Sequence, residues 1–321
     1  MCSFCRRFIK ILTVKFQLRF CPALAAKPKE KVPDWSKPTS KADPFANPGP
    51  ELLIGNVPQE KPSHFLVLNK FPVIPNHFII ATKANLPQTD ILEEADLSAT
   101  YACINAWEEA SNDDEDGRLF GFFNSGDHSG ASQVHRHLQF LPSQDMLLGS
   151  QSNDDWKLLI RSMSSKAHPH LPLLYNPALP FVHFATRLEA GVSSSSLYSK
   201  YIMLMKAALS ASQSSTGELS RELRVHAEIA ENGRTTFSYN LALTTDTMAI
   251  CPRKSESAPI EGLSEDHEVA INGTILGGTL MVKNETEWNT LRQNPHMLDG
   301  ILESIGYPRR PSSPERTINR L

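Results

Sequence analysis

Apolar and polar positions along this chain change period several times, and each change marks an element. From His135 to Leu141 the period is two: His135, His137 and Gln139 share one face, and Leu138 points to the other. Side chains on such a face stand roughly 6.6 Å apart, at about 3.3 Å of rise per residue. On a helix the same three residues would be scattered. The run Leu119–Phe123 predicts a second apolar strand, leading into Asn124. His64–Phe71 and His77–Thr82 predict a hairpin-like pair broken by Pro72 and Pro75. Thr236–Thr245 and Met248–Arg253 predict another, with Asp246 in the turn. Val14–Leu24 is strand-like until Pro22.

Helical spacing appears elsewhere. Leu97, Tyr101 and Ile104 recur within Ala95–Ala110, and Leu197, Tyr201, Leu204, Met205 and Leu209 within Leu197–Ser210. Ser193–Ser196 supply capping hydroxyls before the second. Asp154–Met163 and Glu285–Arg292 are further expected helices. Strands and helices together predict an α+β chain. Lys27–Pro50, rich in Lys and Pro, reads as an extended surface segment. Ser111–Gly117 is an acidic turn, more simply a solvated loop than a carboxylate metal site. The tail from Arg309 onward is polar and is expected to be disordered.

Composition narrows the function only by exclusion. Net charge is −3 in 321 residues, so no polyanion-binding surface is implied globally and nucleic acid is not an expected partner. A nucleotide site would need locally concentrated positive charge. Five cysteines are too few and too odd for a disulfide framework and favour a reducing compartment. Cys2 and Cys5 have zinc-knuckle spacing but no second pair follows, so no metal site is expected there. No apolar run reaches the roughly 18 residues of a membrane span, and no membrane partner is expected. No acid precedes Glu30, while Arg6, Arg7, Lys10, Lys15 and Arg19 are basic. That pattern is like a mitochondrial transit peptide, but cytoplasm, with the nucleus as alternative, is the preferred reading.

The chemistry concentrates in Asn124–Pro142, NSGDHSGASQVHRHLQFLP. Gly126–Gln133 is a run of small and polar residues, the kind whose backbone N–H groups cradle phosphate. A histidine row beside such a cradle suggests attack by imidazole on phosphorus. A lone His-x-His is more often a metal pair or chance. The second one, His168-Pro169-His170, lies among prolines with no cradle before it and reads as a decoy.

His-x-His-x-Gln after a Ser/Gly-rich turn resembles the transferase branch of the histidine triad superfamily. Phe65–Phe71, Ile74–Phe78 and Tyr239–Leu241 through Pro252-Arg253 further resemble the fungal diadenosine tetraphosphate phosphorylases, or ATP adenylyltransferases. The resemblance runs from about Val14 to about Pro308. It implies a histidine triad-like antiparallel sheet with flanking helices, an irregular start over 1–13, a catalytic region over 14–180, a carboxy-terminal region over 181–308 and a tail over 309–321. It implies His137 as nucleophile, with His135 and Gln139 in support. Contacts to nucleotide are implied for Lys27, Asn69, Lys70, Asn124, Gly130, Ala131, Ser132, Gln133, Asn240, Met248 and Arg253, with Lys70 and Arg253 on the polyphosphate. The implied reaction is reversible phosphorolysis of diadenosine tetraphosphate by orthophosphate to ATP and ADP. A divalent cation would accompany the polyphosphate, with no ligand motif in the chain and no organic cofactor. A monomer or a homodimer fits. A hexose-phosphate uridylyltransferase-like enzyme and a non-catalytic nucleotide sensor are the alternatives.

Overall fold

The computed structural model describes residues 6–11, 14–25, 43–111, 118–148, 156–214 and 233–307. Its strands, in chain order, are β1 (Arg6–Ile11), β2 (Val14–Phe20), β3 (Leu53–Val57), β4 (His64–Leu68), β5 (Phe78–Thr82), β6 (Leu119–Ser125), β7 (His137–Pro142), β8 (Lys166–Ala167), β9 (Leu174–Tyr175), β10 (Phe184–Arg187), β11 (Ser238–Leu243), β12 (Thr247–Arg253), β13 (Ser257–Pro259), β14 (Glu268–Ala270) and β15 (Thr279–Val282). The helices are α1 (Glu94–Ala110), α2 (Ser143–Leu147), α3 (Leu159–Met163), α4 (Ser194–Gln213), α5 (Glu285–Gln293) and α6 (Met297–Ile305).

A ten-stranded antiparallel sheet runs in the order β3-β4-β5-β7-β6-β11-β12-β10-β9-β8. With its flanking helices it makes the α+β architecture. The sheet crosses position 180 without a break, because β10, β11 and β12 extend the surface begun by β3–β7.

Alternation along the strands sorts side chains onto two faces. On one, Phe123, Leu138, Phe140, Leu241, Leu243 and Ile250 pack beneath Leu97, Tyr101 and Ile104 of α1 and Leu197, Tyr201 and Leu204 of α4. The start of α4 is secured by Ser193, whose hydroxyl accepts the Ser196 N–H. On the opposite face, Phe122, Ala242, Ala249 and Cys251 are covered by Phe16, Leu18, Ile275, Leu276, Trp288 and Leu302. A smaller cluster of Phe45, Val67, Ile79 and Ala81 covers the β4–β5 side of that face. Gln139 stands in register between Ile79 and Phe122, and His137 is in register with Ala81. The polar row therefore occupies the seam between two apolar clusters.

Two expectations change. The start expected to be irregular contains β1, which pairs along its length with β2; β15 joins β2 in parallel to make a three-stranded sheet. The helix expected over Asp154–Met163 is only Leu159–Met163 within the described residues. Trp156 and Leu158 are buried while Lys157 between them is exposed, the period of an extended chain. His168-Pro169-His170 joins β8 to β9 at the far edge of the sheet from β5 and β7, where the His170 N–H donates to His168 Nδ1. Cys2, Cys5, most of the acidic turn and the tail lie outside the described residues. Among the described residues no helix is long and apolar enough to cross a membrane.

Candidate active site

His137 opens β7 and is buried. Its Nδ1–H donates to the backbone carbonyl of His135 at 2.8 Å. A carbonyl can only accept, so the proton sits on Nδ1 and the lone pair on Nε2. Burial pushes the imidazole down to about 4, outweighing the bond to the His135 carbonyl, which pushes it up. At neutral pH His137 is thus an uncharged ring with a free nitrogen nucleophile.

Gln88 holds the place where β6 and β7 part. Its Oε1 accepts the His137 N–H at 2.7 Å, and its Nε2 donates to the carbonyls of Asn124 (2.8 Å) and His137 (3.2 Å). One buried side chain thus supplies the bonds that a continuous ladder would have made.

His135 precedes the strand proper and bridges to Pro87. Both its ring nitrogens face acceptors: Nδ1 lies 2.7 Å from Asp43 Oδ2 and Nε2 lies 2.7 Å from the Thr82 carbonyl. Asp43 and Thr82 thus hold the ring from its two nitrogens. Two residues on, the Phe45 ring lies edge-on to His135 (5.6 Å between centroids) and tilted over His137 (5.1 Å). Asp43 and Phe45 form a strap across both imidazoles. Between them in sequence, Arg136 points to the other face and binds Asp96 at 2.9 Å. Asp96 also accepts His64 Nε2–H and, as N3 of α1, the Glu93 N–H. The histidine row is so pinned from behind to a helix start.

The loop before the histidines is shaped by its contacts. Gly130 has φ +78, and a Cβ there would lie 2.6 Å from Asn272 Cβ. Among the described residues no acceptor takes the N–H groups of Ala131, Ser132 or Gln133, which leaves them as donors beside His135 and His137.

Asn124 is buried at the end of β6, where its Oδ1 accepts Asn240 Nδ2 (2.9 Å) and the Gly273 N–H (2.8 Å). Only glycine fits at 273, because a Cβ would stand 2.6 Å from Asn124 Oδ1. Asn240 in turn donates to the Ser129 carbonyl and accepts Arg253 Nη1–H. Arg253 is 1% exposed and its guanidinium also serves the carbonyls of Ser255, Ile271 and Ile305. Burial pushes it down to about 10, still charged at neutral pH.

Three of the residues implied to contact nucleotide, Asn240, Met248 and Arg253, are buried. Both Asn240 Nδ2 hydrogens go to protein acceptors, and Arg253 donates to the protein from Nε, Nη1 and Nη2, so the pair orients Asn124 from within the protein. Met248 pairs with Leu243 and packs with it on the helix-covered face, so its side chain points away from the histidine row. Lys27 lies outside the described residues. Asn69 and Lys70 follow β4. Asn69 bonds His77, which bonds Gln139, while exposed Lys70 lies over the Phe71 ring. Among the described residues no group of three His, Cys, Asp or Glu could hold a metal ion.

Asp43, Phe45, His77, Gln88 and Gly273 had no role in the sequence reading. His77 lay within the Ile74–Phe78 motif; Asp43 reaches His135 across a separation that no spacing rule covers.

The family model of the Ap4A phosphorylase N-terminal domain matches residues 4–152, and that of the ATP adenylyltransferase C-terminal domain matches residues 177–308. Diadenosine 5',5'''-P1,P4-tetraphosphate phosphorylase 2 of Saccharomyces cerevisiae is 31% identical over 92% of this chain and 85% of its own. Protein APA1 of the same yeast is 27% identical over 92% and 84%. The crystal structure of yeast Ap4A phosphorylase Apa2 superposes with a TM-score of 0.73 at 26% identity, covering 96% of this chain and 92% of that one. Structures of Apa2 in complex with Ap4A and with AMP superpose at 0.72 and 0.69. With a histidine row, a donor loop and two matching family regions in one chain, the protein belongs to the Ap4A phosphorylase family.

Proposed function

We propose that this protein moves an adenylyl group between diadenosine tetraphosphate and orthophosphate, through a covalent adenylyl-His137. The observation that carries the reading is the ring of His137: uncharged, its Nδ1–H held by a carbonyl, its Nε2 unprotonated. Nε2 attacks the α-phosphorus of one adenylyl end. A P–N bond forms, the P–O bond to the remaining polyphosphate breaks, and ATP leaves with that electron pair. The ring becomes cationic, and the His135 carbonyl that already accepts Nδ1–H stabilises it. An oxygen of orthophosphate then attacks the same phosphorus, the P–N electrons return to Nε2, and ADP leaves. Neither step moves a proton on or off the imidazole.

The N–H groups of Ala131, Ser132 and Gln133 would bind the phosphoryl oxygens as charge builds. The NH2 of Gln139 would bind another. Gln139 cannot titrate and offers water no proton relay, which favours bound orthophosphate as the second acceptor. The expected divalent cation would neutralise polyphosphate charge, carried by the nucleotide. The names of the yeast relatives and the Apa2 complexes with Ap4A and AMP support the substrate class.

The purified protein, given diadenosine tetraphosphate and phosphate, should make ATP and ADP in equal amounts. Without phosphate it should make little AMP. Fast, phosphate-independent release of AMP with ATP would overturn the transferase reading. With α-phosphorus-labelled nucleotide, an acid-labile label should appear on the wild type and vanish in His137→Ala, which should also lose several orders of magnitude in rate.

A further inference from the structure

A glutamine amide has a donor end and an acceptor end of nearly the same shape, and only the NH2 end binds a phosphoryl oxygen. Something must decide which end of Gln139 faces the substrate. The structure holds a chain of bonds that does so, and it starts from a group with no choice. The Phe71 backbone N–H can only donate, and it donates to Asn69 Oδ1 at 2.9 Å. Asn69 must therefore present Nδ2, an NH2, to His77 Nδ1 at 3.0 Å. His77 Nδ1 must then be an acceptor, which places the single ring proton on Nε2. That Nε2–H lies 3.1 Å from Gln139 Oε1. The carbonyl of Gln139 is engaged, and its NH2 has no protein partner among the described residues.

We infer that His77 is a positioning residue of the transfer reaction: with Asn69, it sets the amide of Gln139 so that the NH2 faces the transferred phosphoryl group. The inference rests on the proposed adenylyl transfer and adds to it a residue outside the His-x-His-x-Gln row. Turning the amide over would set its NH2 against His77 Nε2–H and its carbonyl against phosphoryl oxygen, two repulsions at once. The ring acts on the transferred group through Gln139, whose carbonyl its Nε2–H engages. His77 also packs beside Phe122, with ring centroids 6.4 Å apart. An aromatic replacement keeps that packing.

The test is a double-mutant cycle of His77→Phe with Gln139→Ala, read as kcat for phosphorolysis of diadenosine tetraphosphate. His77→Phe should lower kcat about tenfold, the size of one neutral hydrogen bond, and should lower it no further when Gln139 is already alanine. An equal loss on both backgrounds, or no loss on either, overturns the inference. The second measurement needs no variant: nitrogen NMR of the wild type labelled at histidine. The His77 ring should be the neutral Nε2–H tautomer; an Nδ1–H tautomer overturns the inference even if the cycle is spoiled by misfolding. Wild-type protein that fails to convert diadenosine tetraphosphate would sink the function reading instead, and the tautomer measurement would still decide the bond chain.

Discussion

Two places on the sheet carry the same pair of residue types, an asparagine and a base at a strand end, and they have opposite fates. Asn69 and Lys70 leave β4, one strand in from the sheet edge, and Lys70 is exposed. Asn240 and Arg253 sit on β11 and β12 in the sheet interior, roofed by the Asn272–Gly278 turn and the end of α6, and both are buried. In the first pair the base keeps its freedom and can meet a polyanion as a mobile point charge. In the second the guanidinium is a hub for protein acceptors. What separates a phosphate clamp from a scaffold is where the strand lies in the sheet, which residue type does not reveal.

The sharpest way to break this comparison is Arg253→Met. Asn240 Oδ1 and several buried carbonyls would lose their donor together. The variant should lose about 3–5 kcal/mol of stability, a drop in Tm on the order of 10 °C. A stable variant with weakened nucleotide affinity would return Arg253 to the substrate and erase the distinction.

His137 gives a second test on the buried side, through pH. Its folded value is about 4 against an ordinary 6.5. As pH falls below 6.5 the unfolded chain takes up a proton that the folded protein refuses, so stability is lost with falling pH. The loss begins near 6.5, is complete near 4 and amounts to about 3 kcal/mol. His137→Gln should lack this component. Parallel denaturation curves for the two proteins between pH 4 and 7 would show that the ring is not held neutral.

Much of this was legible in the residues. The period of two at His135–Gln139 placed three polar side chains on one face, and strand parity alone sufficed for that. The β11–β12 hairpin was legible as an element but not in register. Its connection through Thr244–Asp246 decides that Asn240 lies opposite Cys251 and Met248 opposite Leu243. Met248 therefore lies on the helix-covered face, which its residue type did not show. Asp43 and Gln88 could not be found at all, because their work is to fill geometry made by strands far away in sequence. Arg253 was found, but a buried and an exposed strand end look alike in one dimension.

The smallest expected effect belongs to the exposed side. Lys70→Met removes a charge at the tip of the β4–β5 connection, where the ammonium lies 5.6 Å from the Phe71 ring centroid. No described fold contact other than that ring depends on it, so stability should stay within about 0.5 kcal/mol. Affinity is another matter. Asn69, its neighbour, reaches Gln139 through His77, so the ammonium stands at the margin of the same site. A solvated lysine there should strengthen polyphosphate binding about tenfold, near the low end for a charge-assisted bond. Salt should weaken that contribution, because an exposed charge is screened within about 10 Å at 0.1 M ionic strength. Calorimetric titration with diadenosine tetraphosphate at two salt concentrations separates the outcomes. Weaker binding at low salt, with the gap to wild type closing at high salt, is the expected result. Equal affinities at both would remove Lys70 from the site and leave the exposed strand end with no more claim on the nucleotide than the buried one.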